Sequence, residues 1–295
     1  MTEVRSYYGQ PVIKEPIWKP EIPWYFFTGG LAGASAGLAF LAERADDGEL
    51  ARRAWAISLA GALSSPVLLI SDLGMPSRFL NMLRVFKVTS PMSVGAWNLA
   101  FSGAATTVAA GSAWTGLFPR AGAVAKGAAA LLGMPLATYT AGLIAQTAVP
   151  VWHEARRDLP LIFAASSAAS AGAAASMVSS APAARRLTIA GAAGMLGGLR
   201  AMERRLGDLG EPYHEGAAGA YGRAAKALTA AGSLLVATRR RPAAVAGGAA
   251  VLAGVVCERW SIFKAGFQSA ADPKYTVGPQ RARSTRPASV SSRSA

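Results

Sequence analysis

Between Glu21 and Glu43 the chain runs for 21 residues without a formal charge, and uncharged stretches recur at 54–71, within 88–119, at 127–152 and at 159–184. A bilayer crossing takes about 20 such residues. Hydrocarbon offers the backbone no hydrogen-bond partner, so runs of this length must close their bonds internally, as helices. Three shorter runs, 187–199, 227–238 and 242–257, reach crossing length when the flanking Arg and Lys snorkel. The expected fold is an all-α integral membrane protein, a bundle of about eight transmembrane helices. It divides into an N-terminal segment at 1–21, a helix bundle at 22–265 and a flexible basic tail at 266–295.

Composition agrees with this division. Only 16% of the residues are charged and 52% are hydrophobic, yet the net charge is +14. Basic residues placed in loops around an apolar bundle would meet anionic membrane lipid. They do not gather on one amphipathic element, which argues against a nucleic-acid partner. The single Cys257 rules out an internal disulfide and an iron–sulfur cluster within the chain. The two histidines, His153 and His214, fall at a segment end and in a loop, so neither a two-histidine haem nor another metal centre is expected. No apolar run precedes Ile22, so no cleaved signal peptide is expected either.

The stretch from Asp72 to Asn98 joins the second and third spans through a loop dense in turn-forming residues. Gly74 and Pro76 suit the end of one helix and the start of the next. Asp72 and Arg78 would be held more cheaply as a pair than apart. Apolar residues alternating with Arg78, Asn81, Arg84 and Lys87 suit a short helix in the headgroup layer. Ser90 is placed to cap the third span, with Pro91 at its first position.

Within the spans, Trp24, Tyr25, Phe26 and Phe27 form an aromatic belt, and Gly29, Gly33 and Gly37 leave a flat face for close helix contact. Pro66 predicts a kink. Asn98, inside the third span, faces either protein or a watery cavity. In the fourth span Tyr139 and Gln146 share a face. The fifth, almost entirely small residues, belongs inside the bundle. With eight spans, the side holding both termini carries two thirds of the 30 Lys and Arg, which places it in the cytoplasm together with the 72–98 loop.

Five stretches resemble the NrfD / polysulfide reductase membrane-subunit family: PWYFFTGGLAGASAG at 23–37, DLGMPSRFLNML at 72–83, SPMSVGAW at 90–97, residues 135–174 and residues 258–279. The resemblance implies eight helices and electron exchange with the membrane quinone pool, menaquinone or ubiquinone. Its implied partners are a ferredoxin-like iron–sulfur subunit and a molybdopterin (Mo/W) oxidoreductase. In the polysulfide reductase complex a Tyr of the fourth span and polar residues opening the first contact the quinone. The matching positions here are Tyr139, with Trp24, Tyr25 and Thr28, although the first span carries neither a His nor an Asn. In that complex the catalytic subunits lie outside the cytoplasmic membrane, whereas the charge distribution here predicts the inner side.

On this reading the chain is a membrane anchor and quinone-reactive subunit of a respiratory oxidoreductase, not catalytic alone, with formate as the first substrate to consider by analogy. Asp72, Arg78, Asn98, Gln146 and His153 are candidates for a polar rim or proton path. Two rivals stand beside it. One is a proton or ion translocator; the other is a structural anchor whose quinone site has degenerated. From the residues alone, the Tyr139 hydroxyl could equally bond a neighbouring helix carbonyl.

Overall fold

A computed structural model describes residues 13–277. Those residues include nine α-helices, with a further helical turn at 274–277, and no strand. Eight are 20 residues or longer: α1 (Glu21–Arg44), α2 (Gly48–Asp72), α3 (Pro91–Thr115), α4 (Pro119–Ala145), α6 (Leu159–Val178), α7 (Pro182–Leu206), α8 (Gly216–Ala237) and α9 (Arg241–Ala271); α5 (Pro150–Glu154) is a short turn of helix. Five of them, α1, α2, α4, α6 and α9, are long and apolar enough to cross a membrane by length and composition. The chain is an all-α, multi-pass membrane protein.

The connections alternate in kind. Segments 45–47, 116–118, 179–181 and 238–240 each join two long helices with three residues, while 73–90, 146–158 and 207–215 are longer and carry their own short helices. The most extensive helix–helix contacts are those across the short connections: α1 with α2, α3 with α4, α6 with α7, and α8 with α9. The bundle is thus four antiparallel hairpins. All their turns lie at one end, called the turn end below. The long connections and the α1 entry lie at the other, the loop end.

Local chemistry sets the hairpin ends. Asp47 Oδ1 accepts from Leu50 N at 3.1 Å and caps α2. Ser90 Oγ accepts from Ser93 N at 3.4 Å and Pro91 opens α3, as the sequence predicts. The expected fifth span at 159–184 is instead cut after Val178. There Ser179 Oγ accepts from Ala181 N at 3.1 Å and Pro182 starts α7. The expected fourth span likewise ends at Ala145 and not at 152. The last three helices outrun the uncharged stretches that announced them, and some of the charges they include are partnered. Lys226 of α8 bonds Glu203 of α7 at 2.6 Å, and Arg259 pairs with Glu258 inside α9. α9 continues to Ala271, and Tyr275 beyond it is buried. Of the expected basic tail, 278–295 lies outside the described residues.

Small residues bring the hairpins together. Gly33 of α1 lies directly on Gly133 of α4, where a Cβ on either would overlap the other's backbone. Of the expected glycine face, Gly29 adds a looser approach to Ser65, whereas Gly37 meets nothing. α6, made of small residues as noted, packs against α1, α4, α7 and α9. Ser166, Ser167 and Ser170 are fully buried within it. Two of them bond carbonyls of their own helix: Ser166 Oγ donates to Ile162 O at 2.8 Å and Ser170 Oγ to Ser167 O at 2.8 Å.

Candidate functional site

Every candidate site residue falls toward the loop end, and a set of contacts ties that end into one surface. Asp72 Oδ1 accepts from Lys19 N at 3.0 Å, hanging the N-terminal segment on the end of α2. Trp18 stacks on Trp152 at 5.4 Å, and the Trp152 indole donates to Ile262 O of α9 at 2.7 Å. Arg205 of α7 holds Asp158 and, at 2.7 Å, Glu154 O. Glu211 Oε2 takes Lys274 Nζ at 2.8 Å and the Tyr275 hydroxyl at 2.9 Å. That pairing holds the Glu211 carboxyl below the usual range, chiefly through Lys274, and pushes Lys274 up in return.

The 73–90 connection is pinned to α3. Ser93 Oγ accepts from Lys87 N at 3.0 Å and donates to Val85 O at 3.1 Å; the Trp97 indole reaches the same carbonyl at 3.4 Å. Trp97 also stacks on Phe101 at 5.4 Å and takes Phe86 edge-on at 6.3 Å. Part of this connection is a short 3-10 helix, Pro76–Leu83, with no buried residue. The expected Asp72–Arg78 pair is not formed, because Asp72 is used by Lys19 and Arg78 is exposed without an ion pair among the described residues.

Tyr139, half-buried on α4, lays its ring against Gly95 of α3. None of the hydrogen bonds among the described residues involves its hydroxyl, so the bond to a helix carbonyl that the residues alone allowed is not made. Thr28 shares its depth. Counting 1.5 Å per residue from the Gly33–Gly133 crossing, Thr28 lies about 7.5 Å and Tyr139 about 9 Å toward the loop end. Thr28 Oγ1 is engaged with Ser65 Oγ at 2.9 Å, which joins α1 to α2. Asn98 faces protein: its amide donates to Leu132 O of α4 at 3.4 Å.

The aromatic belt is corrected. Tyr25 and Phe26 are buried in the core, and Trp24, 44% exposed, is the residue that projects. Tyr25 keeps a buried hydroxyl without a partner. Gln146 and His153 are both exposed beyond the end of α4, so the face that Tyr139 and Gln146 were expected to share breaks at the α4 terminus.

An apolar cleft of about 220 Å³ opens between α2 and α3, lined by Pro66, Leu69, Ala96 and Leu99 and closed on the loop side by Phe79. None of the expected site residues lines it, although Ala96 adjoins Gly95. It is narrow and apolar, as an isoprenoid or acyl tail requires. A cavity of about 740 Å³ lies at the opposite, turn end and also contains none of them.

Sequence reasoning missed the two most deeply buried charges. Glu258 and Arg259 of α9 are each 1% exposed. Arg259 Nη1 lies 3.3 Å from Glu258 Oε1, Nη2 donates to Phe163 O and Ser167 Oγ at 3.4 Å each, and the guanidinium sits 3.6 Å over the Phe163 ring. Glu258 Oε2 and Arg259 Nε have no hydrogen-bond partner, although Oε2 is 3.2 Å from Nη1, out of line for a bond. The Tyr213 hydroxyl, in the 207–215 connection, is buried without a partner too. Burial raises its pKa, and the nearby charges of Glu258, Glu203 and Asp158 raise it further. An ionisable pair between two apolar runs was the available signal. The uncharged run 242–257 stops at Glu258, so charge alone puts the pair at the end of a span.

Four hairpins with their long connections tied into one loop face define an all-α, multi-pass membrane bundle. The family model described as "Polysulphide reductase, NrfD" matches residues 12–207, two thirds of the chain, and the chain belongs to this family. Membership makes it a membrane subunit of a quinone-interacting oxidoreductase complex. No curated protein matches the chain. The matched region includes Tyr139 and the whole 73–90 connection. It stops before α8 and α9, so the Glu258–Arg259 pair lies outside it.

Proposed function

We propose that the chain is the anchor and quinone-reactive subunit of its complex, exchanging electrons between a partner iron–sulfur subunit and the membrane quinone pool. The observation that carries this is the Tyr139 hydroxyl. It is a phenol on a half-buried residue, seated by its ring on Gly95 and without a hydrogen bond among the described residues, at the end where every long connection gathers. An accessible phenol with no protein partner is free to donate to a ligand, and a quinone oxygen suits this one. The partnerless Tyr25 hydroxyl is a second donor on α1, where the family pattern has a His or an Asn. When bound, the quinone supplies two-electron, two-proton redox chemistry. The chain's own residues orient the ring through Tyr139, and the α2–α3 cleft keeps an apolar tail out of water.

The loop face is the docking surface for the ferredoxin-like iron–sulfur subunit, with a molybdopterin oxidoreductase beyond it. The basic balance favours a cytoplasmic side for both termini and this face. Formate oxidation is the reaction class to assay first. The test is Tyr139→Phe in the intact complex. The expected result is loss of quinone-linked turnover with artificial-acceptor turnover retained. Unchanged quinone-linked turnover would mean that the chain is a structural anchor.

A second reading, proton translocation, gains from Glu258, Arg259 and Tyr213, which add ionisable groups to a bundle whose sequence offered few. In sealed vesicles, Glu258→Gln should abolish proton movement while electron transfer continues. Proton movement that survives the substitution, or its absence in the wild type, excludes this reading.

A further inference from the structure

The turn end holds a feature that the quinone reading does not use. The cavity of about 740 Å³ there is bounded by the start of α2, the ends of α3 and α6, and the start of α9. Its wall is apolar: Ala56, Ile57, Trp114, Met177 and Val178. Trp114 and Val178 are 66% and 43% exposed, so the wall opens sideways to the bilayer. The Trp114 indole donates to Arg52 O at 3.2 Å, fixing it at the depth where amphipathic aromatics settle.

A second space of about 470 Å³ adjoins it, sharing Glu49, Arg53, Val178 and Arg241 and adding Asp47 and the polar 179–181 turn. A third, smaller one brings Arg185 and Arg239 to the same turn. Five arginines therefore border these connected spaces against two carboxylates. Both carboxylates are engaged: Glu49 bonds Arg53 at 2.5 Å and Asp47 caps α2. Arg241 donates to Ser176 O at 2.9 Å and to Met177 O, closing the end of α6. Arg52, Arg185 and Arg239 have no acidic partner among the described residues. The N-termini of α2, α7 and α9 all point here, each adding partial positive charge.

We propose that this is a binding site for one anionic phospholipid, its headgroup drawn to the adjoining spaces that share Arg241, with Arg52 bordering one and Arg239 another, and its acyl chain lying along Ile57, Trp114 and Val178. The charge selects the headgroup and the sideways opening admits the tail, whereas a free anion would leave the apolar wall unfilled. The site sits at the far membrane surface from Tyr139 and does not depend on the quinone reading.

The experiment uses the full chain, purified from native membranes with its partners and placed in nanodiscs of phosphatidylcholine with or without phosphatidylglycerol. Phosphatidylglycerol should raise the unfolding temperature of the wild type, and phosphatidylglycerol should be retained through delipidation. Both effects should be lost in the Arg52→Gln/Arg239→Gln double variant, whose side chains neither cap a helix nor pair with an acid. Ala56→Trp, which fills the apolar space without altering charge, should remove them as well. Equal behaviour of the two lipids, an undiminished response in both variants, or the same stabilisation by inorganic phosphate alone would each overturn the proposal. Retention of a quinone in place of phospholipid at this site would do so too.

Discussion

Gly95 of α3 lies under the ring of Tyr139 on α4 so closely that any β-carbon at position 95 would overlap the ring edge. The glycine sets where the phenol stands. Gly95→Ala should therefore displace Tyr139 without removing its hydroxyl, costing about 1–3 kcal/mol for the overpacked contact. Quinone-linked turnover should fall while the helices remain intact by circular dichroism. A variant with native turnover and native stability would show that the ring's position is not set by this contact.

Arg259 and Glu258 depend on each other. Removing one member of a buried pair leaves the other charge without its counter-charge, a loss of about 3–5 kcal/mol. Arg259→Met alone should lower the unfolding temperature of the detergent-solubilised protein sharply. Arg259→Met combined with Glu258→Gln should recover most of the loss, because no lone charge is left behind. If the double variant is as unstable as the single one, the pair is not a coupled unit.

Acid should loosen the Glu211–Lys274–Tyr275 contact at the loop end. The Glu211 carboxyl is held below its ordinary 4.5 by Lys274, so its contribution is complete above 4.5 and disappears as pH falls through the lowered folded value. Lys274 is raised above 10.5 by the same carboxylate; its contribution is complete below 10.5 and disappears as pH rises through the raised value. The stability difference between wild type and Glu211→Gln should accordingly be constant across neutral pH and shrink toward zero in acid. Its size is small, as for other solvent-exposed pairs. Thermal melts of both proteins across the acid range would show it, and a difference that grows on acidification would contradict the assignment.

What was legible in the sequence is what local chemistry decides. Ser90 and Pro91 announce the start of α3 because capping is a matter of four adjacent residues, and the charge-free runs announce α1 and α2 because hydrocarbon excludes unpaired charge. The 159–184 run misled for the same reason in reverse. It contains no charge, so nothing but Pro182 marks the break between two helices. α7, α8 and α9 exceed their uncharged runs, and the pairing of Lys226 on α8 with Glu203 on α7 is invisible until the helices are side by side. At the site, Tyr139 was found through resemblance, and its free hydroxyl and glycine seat emerged from packing. Glu258 and Arg259 read as the end of a span when they are in fact its buried middle.

The three-residue turns have a consequence for how the chain can be divided. Each hairpin returns to the side from which it started, so a cut within 73–90, 146–158 or 207–215 separates the molecule only into whole hairpins, with all new ends on one surface. Co-expressed fragments divided at these places keep every hairpin on a single piece, and reassembly requires docking between pieces already folded back on themselves, as at the Gly33–Gly133 crossing of α1 on α4. A cut within 45–47, 116–118, 179–181 or 238–240 leaves two single helices to find each other in the bilayer.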